Sequence, residues 1–132
     1  MEYVWIALGS ALGGVGRVVV ADAVSARVGA HFPYGTLVVN VLGSFAIGVV
    51  AAFITARGRP LLDGHVGRFL LLGVFGGFTT FSAFSLQTFA LLRAGSWLQA
   101  LLNAMGSVLL CLFAVAVGHG LGGRLAGLWP RG

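Results

Sequence analysis

The sequence predicts an all-α membrane protein of four transmembrane helices, the third of them broken, in one integral membrane domain over residues 1–132. Three observations carry this expectation. Only 8% of the residues are charged and 58% are hydrophobic, whereas a soluble domain carries roughly 25% charged residues. So few charges cannot keep a water-facing surface wet, and the mean hydropathy of +1.01 agrees. The chain also divides into four apolar runs, and about 20 apolar residues cross a bilayer as a helix. The third run holds Gly76-Gly77 followed by two threonines, a poor helix former in mid-span. The composition argues against a soluble enzyme and more firmly against a disordered chain.

The spans are expected at about 3–28, 34–56, 67–92 and 96–123. The first is interrupted by Arg17 and Asp22. It has Glu2 where a cleaved leader would have a positive n-region, so it reads as a true span whose second half faces protein or water. The second, Tyr34 to Ala56, and the third, from Phe69 to Leu92, contain no Asp, Glu, Lys, Arg or His. The fourth runs uncharged from Ser96 to Gly118, before His119. The connections are short: His31-Phe32-Pro33, then Arg57 to Val66 with the breakers Gly58, Pro60, Asp63 and Gly64, then Arg93-Ala94-Gly95. No extramembrane domain fits between them, so the protein acts within the bilayer.

The net charge of +5 comes from arginines at 17, 27, 57, 59, 68, 93, 124 and 131, scattered between apolar runs. A nucleic-acid surface needs a dense basic patch, so no nucleic-acid partner is expected. Arg57, Arg59, Arg68, Arg124 and Arg131 fall on the side of both termini, and Arg17, Arg27 and Arg93 on the other. This modest bias favours both termini inside, and it also permits insertion both ways round. The single cysteine, Cys111, cannot form an intrachain disulfide and reads as a packing residue. His31, His65 and His119 lie at span ends or in loops without metal-ligand spacing. No nucleophile–base pair is evident, and no enzyme is expected.

Twenty-two glycines include two small-xxx-small pairs, Gly9/Gly13 and Gly73/Gly77, which let helix backbones approach closely. Two polar stripes recur at four-residue spacing: Thr36, Asn40 and Ser44 in the second span, and Asn103, Ser107 and Cys111 in the fourth. Each hydroxyl can bond back to its own helix and each asparagine can join helices. Alternatively, the two stripes line one path. Apart from Asp22, no carboxylate lies within a span, so a proton relay is missing. Passive conduction fits better than active coupling, and the amide and hydroxyl donors with the basic balance favour an anion. Gly76 and Gly77 mark a break that is either a kink or a source of carbonyls for a small hard cation. Phe81 and Phe84, spaced i, i+3, are either a core or lipid contact or a pair of electropositive ring edges beside the Asn40 amide.

Taken together, Gly13-Gly-Val-Gly-Arg17, Gly35-Thr-Leu-Val-Val-Asn40-Val-Leu-Gly43-Ser-Phe, and the run from Gly73 to Ser85 make the chain resemble the Fluc-type (CrcB) fluoride ion channels over nearly its whole length. The resemblance implies an antiparallel dimer of four-helix subunits, as a homodimer or with a homologous partner, in a prokaryotic inner or plasma membrane. It implies two fluoride pores per dimer and a structural sodium ion at the centre, held by main-chain carbonyls that map to Gly76 and Thr79. The pore phenylalanines map to Phe81 and Phe84, the pore asparagine to Asn40, the span-four hydroxyl to Ser107 and the vestibule base to Arg17. Ser82 continues the polar track beside the phenylalanines. Asn103 stands where a tyrosine is common, Gln87 where a glutamate is common and Ala83 where a threonine is common.

The function implied is passive, selective export of fluoride that relieves fluoride toxicity. One alternative is a small four-helix multidrug/proton antiporter, which needs a carboxylate deep in the first span. Glu2 at the terminus and Asp22 near the far end do not supply it. The other is a non-transporting membrane assembly subunit, which leaves the break and the two polar stripes unexplained.

Overall fold

The computed structural model describes residues 2–56, 58 and 64–128; Arg57, Arg59, Pro60, Asp63 and Arg131 lie outside the described residues. Helix α1 spans Glu2–Val28 and α2 spans Tyr34–Ala56. The third span is assembled from pieces: α3 at Gly64–Gly67, a π-helical stretch at Arg68–Phe75, α4 at Gly76–Phe78, and α5 at Phe81–Arg93. Helix α6 spans Trp97–Leu128. Among the described residues, four segments are long and apolar enough to cross a membrane: Tyr3–Val28, Tyr34–Ala56, Gly64–Arg93 and Trp97–Leu128.

Two helix ends are closed by glycine caps that satisfy carbonyls the helix itself leaves unbonded. After α1, Gly29 takes a left-handed φ of +85° and donates its N–H to Ser25 O at 2.9 Å. After α5, Gly95 at φ +74° donates to Leu92 O at 3.0 Å and Ser96 donates to Leu91 O at 2.9 Å. That double bond is a Schellman motif, and it turns the chain into α6 within three residues.

Two glycine seams hold the bundle. The predicted pairs Gly9/Gly13 and Gly73/Gly77 meet each other, joining α1 to the third span. A Cβ at Gly9 would lie 2.9 Å from Gly73 Cα, one at Gly13 would strike the Val74 carbonyl, and one at Gly77 would lie 2.6 Å from Ser10 O. The second seam runs along α2 and α6, the most extensive helix pair. There Gly48 faces the Val115 carbonyl, Gly118 the Phe45 carbonyl and Gly122 the Val49 carbonyl. Between lipid-soluble helices there is no hydrophobic drive to associate, so close backbone packing takes its place. The core is accordingly small: Val39, Ala52 and Ala100 are buried, while Leu109, Leu112 and Phe113 face outward.

The break in the third span lies three residues beyond the expected position. Gly76 is still helical, at φ −63° and ψ −38°. Thr79 (ψ 155°) and Thr80 (φ −149°, ψ 115°) are extended. A glycine costs a helix only about 1 kcal/mol relative to alanine, too little to end one in lipid. What ends this one is a side chain from α2.

Candidate ion pathway

Gly43 and Asn40, one turn apart on α2, meet the break together. Gly43 has no side chain to hold off Thr79 Cγ2, and a Cβ there would also come within 3.2 Å of the Phe78 ring. With the break drawn in this close, Asn40 grips Thr80 at both backbone groups: Thr80 N donates to Asn40 Oδ1 at 2.8 Å, and Asn40 Nδ2 donates to Thr80 O at 3.1 Å. The amide thus replaces the helical bond that the Thr80 N–H has lost and gives the Thr80 carbonyl a second donor, leaving one Asn40 N–H without a partner among the described residues. Thr80 is itself the N-cap of α5. Its Oγ1 accepts from Ala83 N at 3.2 Å and lies 3.2 Å from Ser82 Oγ. Thr79 Oγ1 bonds back to Phe75 O at 2.9 Å.

Beside this clamp lies a cleft of about 280 Å³ lined by Asn40, Ser44, Thr80, Phe81, Phe84 and Ser107, among others. Among the described residues, no lining residue carries a carboxylate or a basic group. Phe81 and Phe84 stand with ring centroids 5.2 Å apart, tilted by 45°, and Phe81 is 76% exposed. The i, i+3 spacing read from the sequence therefore puts both rings at one cleft with the Asn40 amide and the Ser107 hydroxyl, where an electropositive ring edge can face an anion.

A second cleft, about 420 Å³, opens at the α1–α2 turn and is lined by Asp22, Ser25, His31, Thr36 and Gln87, among others. The stripe on α2 divides between the two: Thr36 lines this cleft, while Asn40 and Ser44 line the other. On α5 the division repeats, with Gln87 here and Phe84 there. The clefts thus follow one another along α2 and α5, a single turn apart. Gln87 Oε1 is buried with no hydrogen-bond partner among the described residues.

The stripe on α6 also divides. Ser107 and Cys111 line the 280 Å³ cleft. Asn103, 2% exposed, is not among the lining residues of either cleft. Its Nδ2 donates to Thr88 Oγ1 at 2.7 Å, Thr88 Oγ1 donates to Phe84 O at 2.8 Å, and Ser107 Oγ lies 3.5 Å from Asn103 Oδ1. Arg17 is half-buried on α1 and lines neither cleft. Ser82 is exposed and reaches the site only through Thr80. Sequence reasoning passed over Thr80 and Thr88. A threonine three residues before Ala83 at the head of an apolar run was a legible N-cap signal, whereas nothing local marked Thr88.

Residues 4–119, which include all four spans as far as His119, match the family described as CrcB-like protein, Camphor Resistance (CrcB). The chain belongs to the CrcB family. Its relatives include proteins named fluoride-specific ion channel FluC. One from Opitutus terrae is 53% identical over 117 residues, 89% of each chain. One from Paramagnetospirillum magneticum is 47% identical over 119 residues, covering 90% of this chain and 93% of its own. One from Thermus thermophilus is 46% identical over 126 residues, covering 96% and 98%. The CrcB match takes in the clamp, both clefts, the α1 seam and the α2–α6 seam as far as Gly118. With four segments apolar enough to cross a bilayer, this CrcB protein is a multi-pass membrane protein.

Proposed function

We propose that the protein is a passive fluoride-selective channel that exports fluoride down its electrochemical gradient and so relieves fluoride toxicity. The observation that carries this reading is the cleft in which the Asn40 amide, two phenyl rings and the Ser107 hydroxyl converge with no charged group. Fluoride is small and holds its water tightly, so a path that admits it must replace that water with close donors. The uncommitted Asn40 N–H, the Ser107 hydroxyl, and the ring edges of Phe81 and Phe84 supply such donors. Ser82 extends the polar track through Thr80, and Asn103 holds α6 and α5 at the spacing the rings need. Arg17 raises the local anion concentration toward one mouth. The absence of a carboxylate from the cleft lining favours conduction over proton exchange.

The working unit in this reading is an antiparallel dimer with a second copy or a homologous partner. Phe81 is 76% exposed beside the cleft, and an anion path along it must be shielded from lipid by a second protein surface. The dimer also fits a structural sodium ion held by the Gly76 and Thr79 carbonyls. Gly76 is exposed, and a Cβ there would meet nothing nearer than Leu71 O at 3.7 Å. Packing within one copy therefore does not demand a glycine, whereas close approach to the break does. Two carbonyls from each of two copies make the all-oxygen set that hard cations take. Such an ion supplies positive charge near the anion path and ties two broken helices together. Neither orientation is required by this scheme, and dual insertion of one chain satisfies it.

The test is efflux from liposomes loaded with potassium fluoride, read with a fluoride electrode after valinomycin, beside a matched chloride control. Fast fluoride efflux without chloride efflux supports a selective channel built by this chain alone. Silence both alone and with a co-expressed homologue would overturn the reading.

A further inference from the structure

We infer that Asn40 and Thr80 are positioning residues for the cation site, because their side chains intercept the two backbone N–H groups that would otherwise occupy the Gly76 and Thr79 carbonyls. The inference rests on the sodium reading above.

In an unbroken α-helix each N–H bonds the carbonyl four residues back. Thr79 N still does so, to Phe75 O at 3.0 Å. The next donor does not. Thr80 N, which would close on Gly76 O, donates to Asn40 Oδ1 at 2.8 Å. Ala83 N, which would close on Thr79 O, donates to Thr80 Oγ1 at 3.2 Å. The two intercepted carbonyls are the two to which a cation is assigned, and carbonyls freed in this way are what an unwound membrane helix offers a cation.

The interception is well supported. Asn40 Nδ2 also holds Thr80 O at 3.1 Å, so the amide fixes Thr80 on both sides of its α-carbon. Thr80 is 8% exposed, leaving little water to compete for its bonds. Because Asn40 lines the anion cleft as well, one amide joins the wall of the anion path to the carbonyls that face the cation.

The experiment follows thermal unfolding of the purified full-length protein in detergent as sodium replaces N-methylglucamine at constant ionic strength. Wild-type protein is expected to gain stability with sodium by mass action. Thr80→Val keeps the shape and removes the hydroxyl, so Ala83 N–H is released to Thr79 O. The half-saturating sodium concentration should then rise about tenfold, the equivalent of one weakened ligand at about 1.4 kcal/mol. Thr80→Ser, which keeps the cap, should stay within about twofold of wild type. Asn40→Ala should shift as Thr80→Val does; if it does not fold, the threonine pair carries the test. A wild-type protein indifferent to sodium overturns the cation reading and this inference together. A wild-type response that Thr80→Val retains, with unfolding merely lowered equally at every sodium concentration, overturns this inference alone.

Discussion

Asn103 on α6 donates an amide N–H to the Thr88 hydroxyl on α5 at 2.7 Å, and that hydroxyl donates in turn to Phe84 O at 2.8 Å. A fully buried amide thereby reaches the backbone of a residue lining the candidate ion pathway. Polar bonds between membrane helices are worth about 0.6 kcal/mol on average and up to about 1.7. A double-mutant cycle of Asn103→Leu with Thr88→Val, read by reversible unfolding in mixed micelles, should return a coupling of about 1 kcal/mol. The single Asn103→Leu change should also slow fluoride efflux, through displacement of Phe84.

The α1 seam should be intolerant of any side chain at Gly13. A Cβ there would meet backbone, the Val74 carbonyl and Phe78 N at 2.7 Å, and not the movable end of a side chain. Overpacking of this kind costs about 1–3 kcal/mol. Gly13→Ala should lower the unfolding midpoint, whereas Gly14→Ala, with nothing within 4 Å, should leave it unchanged. Equal losses at both positions would refute the seam.

Phe81 separates a packing role from a conducting one. It is 76% exposed in the single copy, so Phe81→Ile should retain the fold. If its ring edge faces the anion, its loss should slow fluoride efflux by about tenfold, the equivalent of about 1.4 kcal/mol on the barrier. Fluoride flux equal to wild type from a folded Phe81→Ile protein would count directly against the proposed pathway.

The exposed face at the break predicts association. Light scattering of the purified protein, corrected for detergent, should give twice the 13.6 kDa chain mass. A cysteine at position 82 should cross-link two copies of a Cys111→Ser background if the break regions face each other across the dimer.

Much was legible in the residues. The four spans follow from apolar length alone, since only a helix satisfies its own backbone in lipid. The Gly9/Gly13 and Gly73/Gly77 pairs announced close packing, and the structure shows that they pack on one another. The spacing of Phe81 and Phe84 placed the rings side by side, and Asn40, Ser44 and Ser107 do converge on one cleft with them.

What can be read from the residues alone is therefore periodic or additive: which segments are apolar, which residues share a helix face, and where small residues recur. Where the third helix breaks depends on packing between helices. Gly76 and Gly77 were the local signal, yet the chain stays helical through both and opens at Thr79–Thr80. The deciding bonds come from Asn40, forty positions away in sequence. Helix packing likewise puts Thr36 at one cleft and Asn40 at the other, and leaves Asn103 bonded to Thr88 and outside the lining of either cleft. A hydrogen bond between helices depends on the distance at which two backbones settle, and that distance emerges only when all four helices are packed.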